Sequence, residues 1–196
     1  MSATQTRKER ERAERRQRIV DTARTIAETE GWDAVTVRKL ADRIEYSQPV
    51  LYSHFAGKDA IVSAVAEAGM AEFAGVVRQL RETAATPEQA LRAVVQGYLD
   101  FARDSAALYD AIFLLRTDLK FGPDAPQALK DAFTELLLTF APFAPPHDPE
   151  TFTEVAWSTM HGLATLDRGG RLRPDFREQR LEILIAQWVR GDRPHC

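Results

Sequence analysis

The residues best suited to chemistry in this chain of 196 residues lie between Thr36 and Lys58, in TVRKLADRIEYSQPVLYSHFAGK. Gln48 can donate to and accept from one adenine edge, the bidentate pair that the major groove of DNA permits. Arg38 can do the same to guanine, while Pro49 and the Tyr52 ring can pack on a thymine methyl group. Ser53 shares their outward side. Thr36, Ser47, Tyr52, His54 and Lys58 suit phosphate oxygens, contacts that set register and carry no sequence information. This chemistry is recognition rather than catalysis. The bland alternative is an ordinary polar surface, so the elements that carry these residues decide between the two.

Those elements read as two short helices joined by a tight turn. Thr36 is a good N-cap for a helix from Val37 to about Ile44, with Val37, Leu40, Ala41 and Ile44 on its inner stripe. Ser47 caps the next helix, and Pro49 sits in its first turn, where a missing N–H breaks no helical bond. Leu51 and Phe55, one turn apart, face inward; Gln48, Pro49, Tyr52 and Ser53 face outward. A preceding helix becomes amphipathic at Ile19, with Ala23, Ile26 and Ala27 on the same stripe, and ends at Gly31. Trp32 then packs back on the core. Two such helices with a turn of about three residues make a helix-turn-helix.

The segments TVRKLADRI and SQPVLYSHFAGKDAIV resemble the N-terminal domain of the TetR family of bacterial transcriptional regulators, over roughly Arg18 to Val65. Leu51, Tyr52, His54, Phe55 and Lys58 carry most of that likeness. One position departs from it: the turn residue usually filled by Gly is Glu45, and a positive φ there costs a non-Gly residue about 1 kcal/mol. The resemblance assigns DNA contact to the positions named above. It implies a homodimer on a palindromic double-stranded operator, most simply a repressor. It also implies a small-molecule effector, largely apolar, whose binding moves the fourth helix.

Charge agrees with a division at Lys58. Residues 1–58 hold twelve Lys/Arg against nine Asp/Glu, a balance of +3, and residues 59–196 carry −6, for a net charge of −3. A basic front on an acidic body attracts a polyanion at one end only. We therefore expect a DNA-binding domain over 1–58 with a charged N-terminal extension, and a ligand-binding and dimerisation domain over 59–196. Residues 1–6 read as unstructured. RKERERAERRQR, Arg7 to Arg18, reads as a solvated helical extension or, in the alternative, as a basic arm on phosphates; Arg12, Arg15, Arg16 and Arg18 are its best placed members.

The rest of the chain predicts an all-α fold of about nine helices. A fourth helix runs to about Arg81, with Ile61, Val62, Val65, Phe73, Val76, Val77 and Leu80 on its apolar face. Thr86-Pro87-Glu88-Gln89 is a capping box opening a fifth, with Leu91, Val94, Val95, Tyr98, Leu99 and Ala102 inward. Ser105 caps a sixth through Leu115, and Thr117 to Pro126 is a loop. A seventh runs from Gln127 to Phe140, followed by the stiff connector APFAPPHDP. Asp148-Pro149 opens an eighth, which Gly169-Gly170 breaks; Asp175 with Glu178 caps a ninth.

WSTMHG, with Trp157, His161 and Gly162, is similar to the signature of the WHG-type ligand-binding domain of some TetR-family members. A pocket in a helical bundle needs apolar walls with a few polar anchors. Its candidates are Phe73, Phe101, Phe113 and Trp157 as walls, with Tyr98, Tyr109 and His161 as anchors; ordinary core packing is the competing explanation, and for His161 a structural role, hydrogen-bonded within the interface, ranks above ligand contact. The resemblance places a four-helix dimer interface on the last two helices. The eighth offers Phe152, Val155, Thr159, Met160 and Leu163, and the ninth Leu181, Leu184, Ile185 and Trp188.

Other function classes find little support. No P-loop, GxGxxG or GxSxG is present, so no catalytic residue is assigned and no enzyme is expected. His54, His147, His161 and His195 are far apart and lack zinc-site spacing, so neither a metal nor a cofactor is expected. The apolar runs are too short or too interrupted to span a bilayer, the Arg/Glu-rich start lacks the apolar core of a secretory signal, and Cys196 stands alone; a cytoplasmic protein with no membrane partner is expected. A ligand carrier without sequence-specific DNA function, or a small helical enzyme, is the weaker alternative.

Overall fold

The computed structural model describes residues 3–115, 117 and 119–190. The helices are α1 (Ala3–Glu30), α2 (Val37–Ile44), α3 (Gln48–Tyr52), α4 (Lys58–Thr83), α5 (Pro87–Asp104), α6 (Ala106–Phe113), α7 (Gln127–Phe140), α8 (Pro149–Arg168) and α9 (Arg177–Arg190). Among the described residues there is no strand. The all-α expectation holds, and several helix limits fall where the caps and prolines put them. Thr36 Oγ1 accepts from Lys39 N–H at 3.1 Å, and Asp148 accepts from Thr151 N–H at 2.9 Å with Pro149 opening the helix. At the capping box Thr86 Oγ1 accepts from Gln89 N–H at 3.2 Å, but the Gln89 side chain reaches Ala85 N–H at 3.1 Å rather than Thr86.

The described residues gather into two compact units. The first takes the chain up to Gly69 together with Ser105–Pro126; the second takes Met70–Asp104 and the chain from Gln127 onward. The first unit has its core on Ile19, Ala23 and Ile26 of α1, Leu40 of α2, Leu51 of α3 and Ile61 of α4, all essentially without solvent contact. Each of these Ile and Leu side chains stabilises by about 1.5–3 kcal/mol when fully buried. Helix α6 belongs to this unit by specific bonds. The Glu28 carboxylate accepts from the N–H groups of Ala107 and Leu108 at 3.2 and 3.1 Å, capping α6. Trp32 Nε1–H donates to the Ala107 carbonyl at 2.7 Å. Gly69 lets α4 lie against Leu108, since a Cβ there would sit 2.3 Å from Leu108 Cδ1.

In the second unit, Leu91, Val94, Val95 and Tyr98 of α5 pack with α7, α8 and α9. Phe140 meets Trp188 edge-on at 5.2 Å. Arg92 of α5 bonds Glu178, at 3.4 Å, and Glu182 of α9. Helix α4 is, by length and composition, apolar enough to cross a bilayer, yet 56% of its apolar window is buried within the protein, as in a core helix.

Several expectations are corrected. Residues 3–6 are helical, because α1 starts at Ala3. Ser47 and Ser105 stand at N-cap positions but make no side-chain cap bond. Helix α6 ends at Phe113, two residues early. Asp175 lies in a 3-10 turn, Pro174–Phe176, and α9 begins only at Arg177. Val76 points to solvent at 50% exposure, and Val37, Leu80 and Leu99 are half-buried. His195 and Cys196 lie outside the described residues.

Candidate functional site

The turn between α2 and α3 is made by Glu45, which adopts φ 58°, ψ 37°. The left-handed conformation lets Tyr46 N–H return to the Ala41 carbonyl at 3.0 Å, closing α2 and redirecting the chain within three residues. The helix-turn-helix geometry is thus kept without glycine, at the modest steric cost noted above. Leu40, Ala41 and Ile44 of α2 face the core with Leu51 and Phe55. Burying that side of so short a helix leaves the other side outward: Gln48, Pro49 and Ser53 are exposed and Tyr52 stands at 56% exposure.

The candidate contacts differ in how ready they are. Arg38 is 84% exposed, and its Nε is 4.0 Å from Asp42, too long to hold it. The Thr36 hydroxyl accepts a cap bond yet keeps its own hydrogen to donate. Ser53 Oγ donates to the Val50 carbonyl at 2.6 Å, so it turns toward its own helix and has only acceptor capacity to offer outward. Lys58 Nζ donates to the Trp32 carbonyl, tying the start of α4 to the turn before α2. His54 is half-buried; burial first, then the guanidinium groups of Arg12, Arg15 and Arg16, push its pKa below 6.5. Both causes favour the neutral imidazole.

Sequence reading left the charged extension without a firm role, and here the structure adds contacts. Arg12 Nη2 lies 3.5 Å from the Ser53 carbonyl. Arg16 stacks its guanidinium 4.7 Å from the Phe55 ring centre, and Arg18 donates to Tyr46 Oη at 3.2 Å. The i, i+4 spacing of Arg12 and Arg16 on an unbroken helix was the available signal. Their partners lie some forty residues away, so it could not be completed from sequence.

The pocket candidates divide between the two units. Phe73, Tyr98, Phe101, Trp157 and His161 come together in the second. Phe73 meets Tyr98 at 5.8 Å and Phe101 at 4.9 Å. Tyr98 Oη accepts from Trp157 Nε1–H at 3.2 Å and lies 3.5 Å from His161 Nδ1. The His161 pKa is pushed down by burial and then by Arg168. Tyr109 and Phe113 lie in the first unit and pair with each other at 4.8 Å. An open cleft of about 890 Å³ lies elsewhere in the second unit, lined by Phe143, Pro145, His147, Phe152, Ile183 and Trp188 among others. Among the described residues no group of three or more His, Cys, Asp and Glu is placed to hold a metal.

The dimer candidates also divide. Met160, Leu181, Leu184, Ile185 and Trp188 are buried inside the protomer. The apolar stripe of α9 packs on α5 and, through Trp188, on Phe140 of α7. Phe152 and Leu163 are half-buried, whereas Thr159 is exposed and Val155 stands at 60% exposure.

Comparison with known proteins agrees with this architecture. Residues 19–65 match the family model of bacterial regulatory proteins, tetR family, and residues 91–188 match that of the tetracyclin repressor-like C-terminal domain. The chain is 33% identical over 102 residues to the HTH-type transcriptional activator FasR of Mycolicibacterium smegmatis, covering 52% of this chain and 47% of that protein. It is 43% identical over 54 residues to the tetracycline repressor protein class A from transposon 1721 of Escherichia coli, covering 28% and 25%. The matched stretch thus spans less than half the length of either relative. A solved structure of a protein with unknown function from Rhodococcus sp. RHA1 superposes with a TM-score of 0.75, at 22% identity over 90% of this chain and 94% of that one, a likeness of fold.

Proposed function

We propose, from the premise that the chain belongs to the TetR family of bacterial regulatory proteins, that it is a cytoplasmic, ligand-responsive transcriptional regulator, and a repressor rather than an activator. Residues 1–58 read DNA and residues 59–196 bind the effector and dimerise. The observation that carries the reading is the α2–α3 pair: a left-handed Glu45 between two short helices, with Gln48, Pro49 and Tyr52 all turned outward. A helix with that face fits the major groove, where Gln48 and Arg38 read base edges and Tyr52 packs on a methyl group. Thr36, Ser47, His54 and Lys58 hold the backbone, Lys58 through its charge because its ammonium already serves Trp32.

Two copies would set their α3 helices about 34–36 Å apart on a palindrome. The dimer face we assign combines Phe152, Val155 and Thr159 of α8 with Ile183 of α9, which is 51% exposed; Phe152 and Ile183 line one cleft. The effector site is the cluster of Phe73, Tyr98, Phe101, Trp157 and His161. Apolar rings around a tyrosine–histidine pair suit a largely apolar small molecule with one polar group. Such a ligand acts only if it binds the two spacings of the reading helices with different affinity.

The test is selection of bound duplexes from a random pool, followed by the double variant Gln48→Ala/Tyr52→Ala. We expect enrichment of a palindrome and a loss of affinity for it on the order of 10²-fold, since each good base contact is worth about 1–3 kcal/mol. A helical ligand carrier without DNA function would enrich no sequence.

A further inference from the structure

Helix α1 is continuous from Ala3, so sixteen residues precede the first core residue, Ile19. At about 1.5 Å per residue they form a rod roughly 24 Å long. A helix about 10–12 Å across does not enter a minor groove about 6 Å wide. The extension therefore does not thread a groove as an extended arm would. What it does is set arginines beside the end of α3. Arg12 reaches the Ser53 carbonyl, Arg16 covers the Phe55 ring, and His54 lies between these two residues in the chain. A guanidinium has five N–H donors in a fixed fork, so one long bond to Ser53 leaves most of its donor capacity for an anion. Arg15, next to them, is held only loosely by Glu11 at 3.7 Å, and both are partly exposed. Burial first, and then these same three guanidiniums, lower the His54 pKa. The potential at that spot is thus positive.

We propose that Arg12, Arg15 and Arg16 of α1 and His54 after α3 form one site for a DNA backbone phosphate, beside the base pairs that α3 reads. Planar forks match phosphate oxygens bidentately. The site rests on the reading of the chain as a DNA-binding regulator, and it adds a second element, α1, to the binding surface. The alternative is purely structural: the arginines pin α1 to α3 and touch no DNA.

The dependence of affinity on salt separates the two. Each neutralised phosphate releases counterions and contributes about 0.9 to the slope of log affinity against log salt. The probe is the duplex enriched by the wild-type protein or, if none is enriched, a mixed-sequence duplex. Arg12→Ala/Arg15→Ala, which removes no buried contact, should make the slope shallower by about 1 per subunit. Arg7→Ala, whose residue is 80% exposed and paired with Glu11 at a distance from α3, should leave it unchanged. Arg16→Ala should act like the double variant if it stays helical by circular dichroism. A slope equal to wild type in the folded double variant overturns the site, and so does an equal drop in Arg7→Ala, because general helix charge would then suffice. A wild type that binds duplex without sequence preference refutes the regulator reading but still tests the site. A wild type that retains no duplex refutes both.

Discussion

Arginine does two different jobs in the two compact units. In the first, Arg12, Arg16 and Arg18 lie on the surface against a carbonyl, a ring and a hydroxyl, none of which cancels a charge. In the second, Arg78 and Arg81 of α4 close on the carboxylate of Glu135 in α7, which is 4% exposed. Arg78 Nε donates to one oxygen at 2.7 Å, and Arg81 donates to the other through Nη2 at 2.9 Å and Nε at 3.2 Å. The first arrangement keeps a field available for a partner; the second spends it on holding two helices together. Sign and residue type are the same in both, so the burial of a counter-charge decides which job is done.

The contrast breaks most sharply at Glu135. Glu135→Ala leaves two guanidiniums at a partly buried site and should cost about 2 kcal/mol in chemical denaturation, less than a fully buried pair because Arg78 is half in water. Its salt slope for duplex binding should match wild type; a changed slope would mean that the two arginine groups are not independent. Gly69→Ala comes next. Its Cβ would meet Leu108, which is 1% exposed. Overpacking of about 1–3 kcal/mol is offset in part by the better helix propensity of alanine, for a net loss of about 1 kcal/mol. A gain in melting temperature would show that the α4–α6 contact can relax.

Acid separates Glu135 from the two shifted histidines by pH window. Burial pushes the Glu135 pKa up, but the bonds and charges of Arg78 and Arg81 outweigh it and hold it below 4.5. Its stabilisation is therefore complete above pH 4.5 and lost as pH falls through the folded value. His54 and His161 have folded values below 6.5, so the unfolded chain takes up protons first. Stability then falls as the solution is acidified from pH 6.5, before Glu135 titrates. Stability curves of His54→Gln and His161→Gln should be flatter just below pH 6.5, and equal slopes in wild type and both variants would contradict the two shifts. The smallest effect is expected at Arg38→Ala: stability within about 0.5 kcal/mol, with discrimination lost at a single base pair.

Much of the reading surface was legible in the sequence because its causes are local. Thr36, Pro49 and the spacing of Leu40, Leu51 and Phe55 act within one or two helical turns. Glu45 shows the limit of that reasoning: a glycine was expected, yet the glutamate takes the left-handed conformation the turn requires. The ninth helix shows the opposite case. Leu181, Leu184, Ile185 and Trp188 make a clean apolar stripe, but periodicity states only that a stripe must be covered. That α5, with Phe140 of α7, packs on it depends on contacts distant in sequence. The split of the aromatic candidates has the same cause, since Tyr109 and Phe113 share the ring chemistry of Phe101 and lie in the other unit.

By itself the sequence determined that the chain is helical, the limits of α2, α4, α5 and α8 to within a few residues, and which side of α3 carries donors and acceptors. Each follows from backbone geometry and side-chain period over a few residues. Only the tertiary structure decided that α6 is capped by Glu28 and bonded to Trp32, that Glu135 takes two arginines, and that the arginines of α1 stand beside the end of α3. Those pairings join residues about 40 to 80 positions apart. Their partners are set by the packing of whole helices, which no local period encodes.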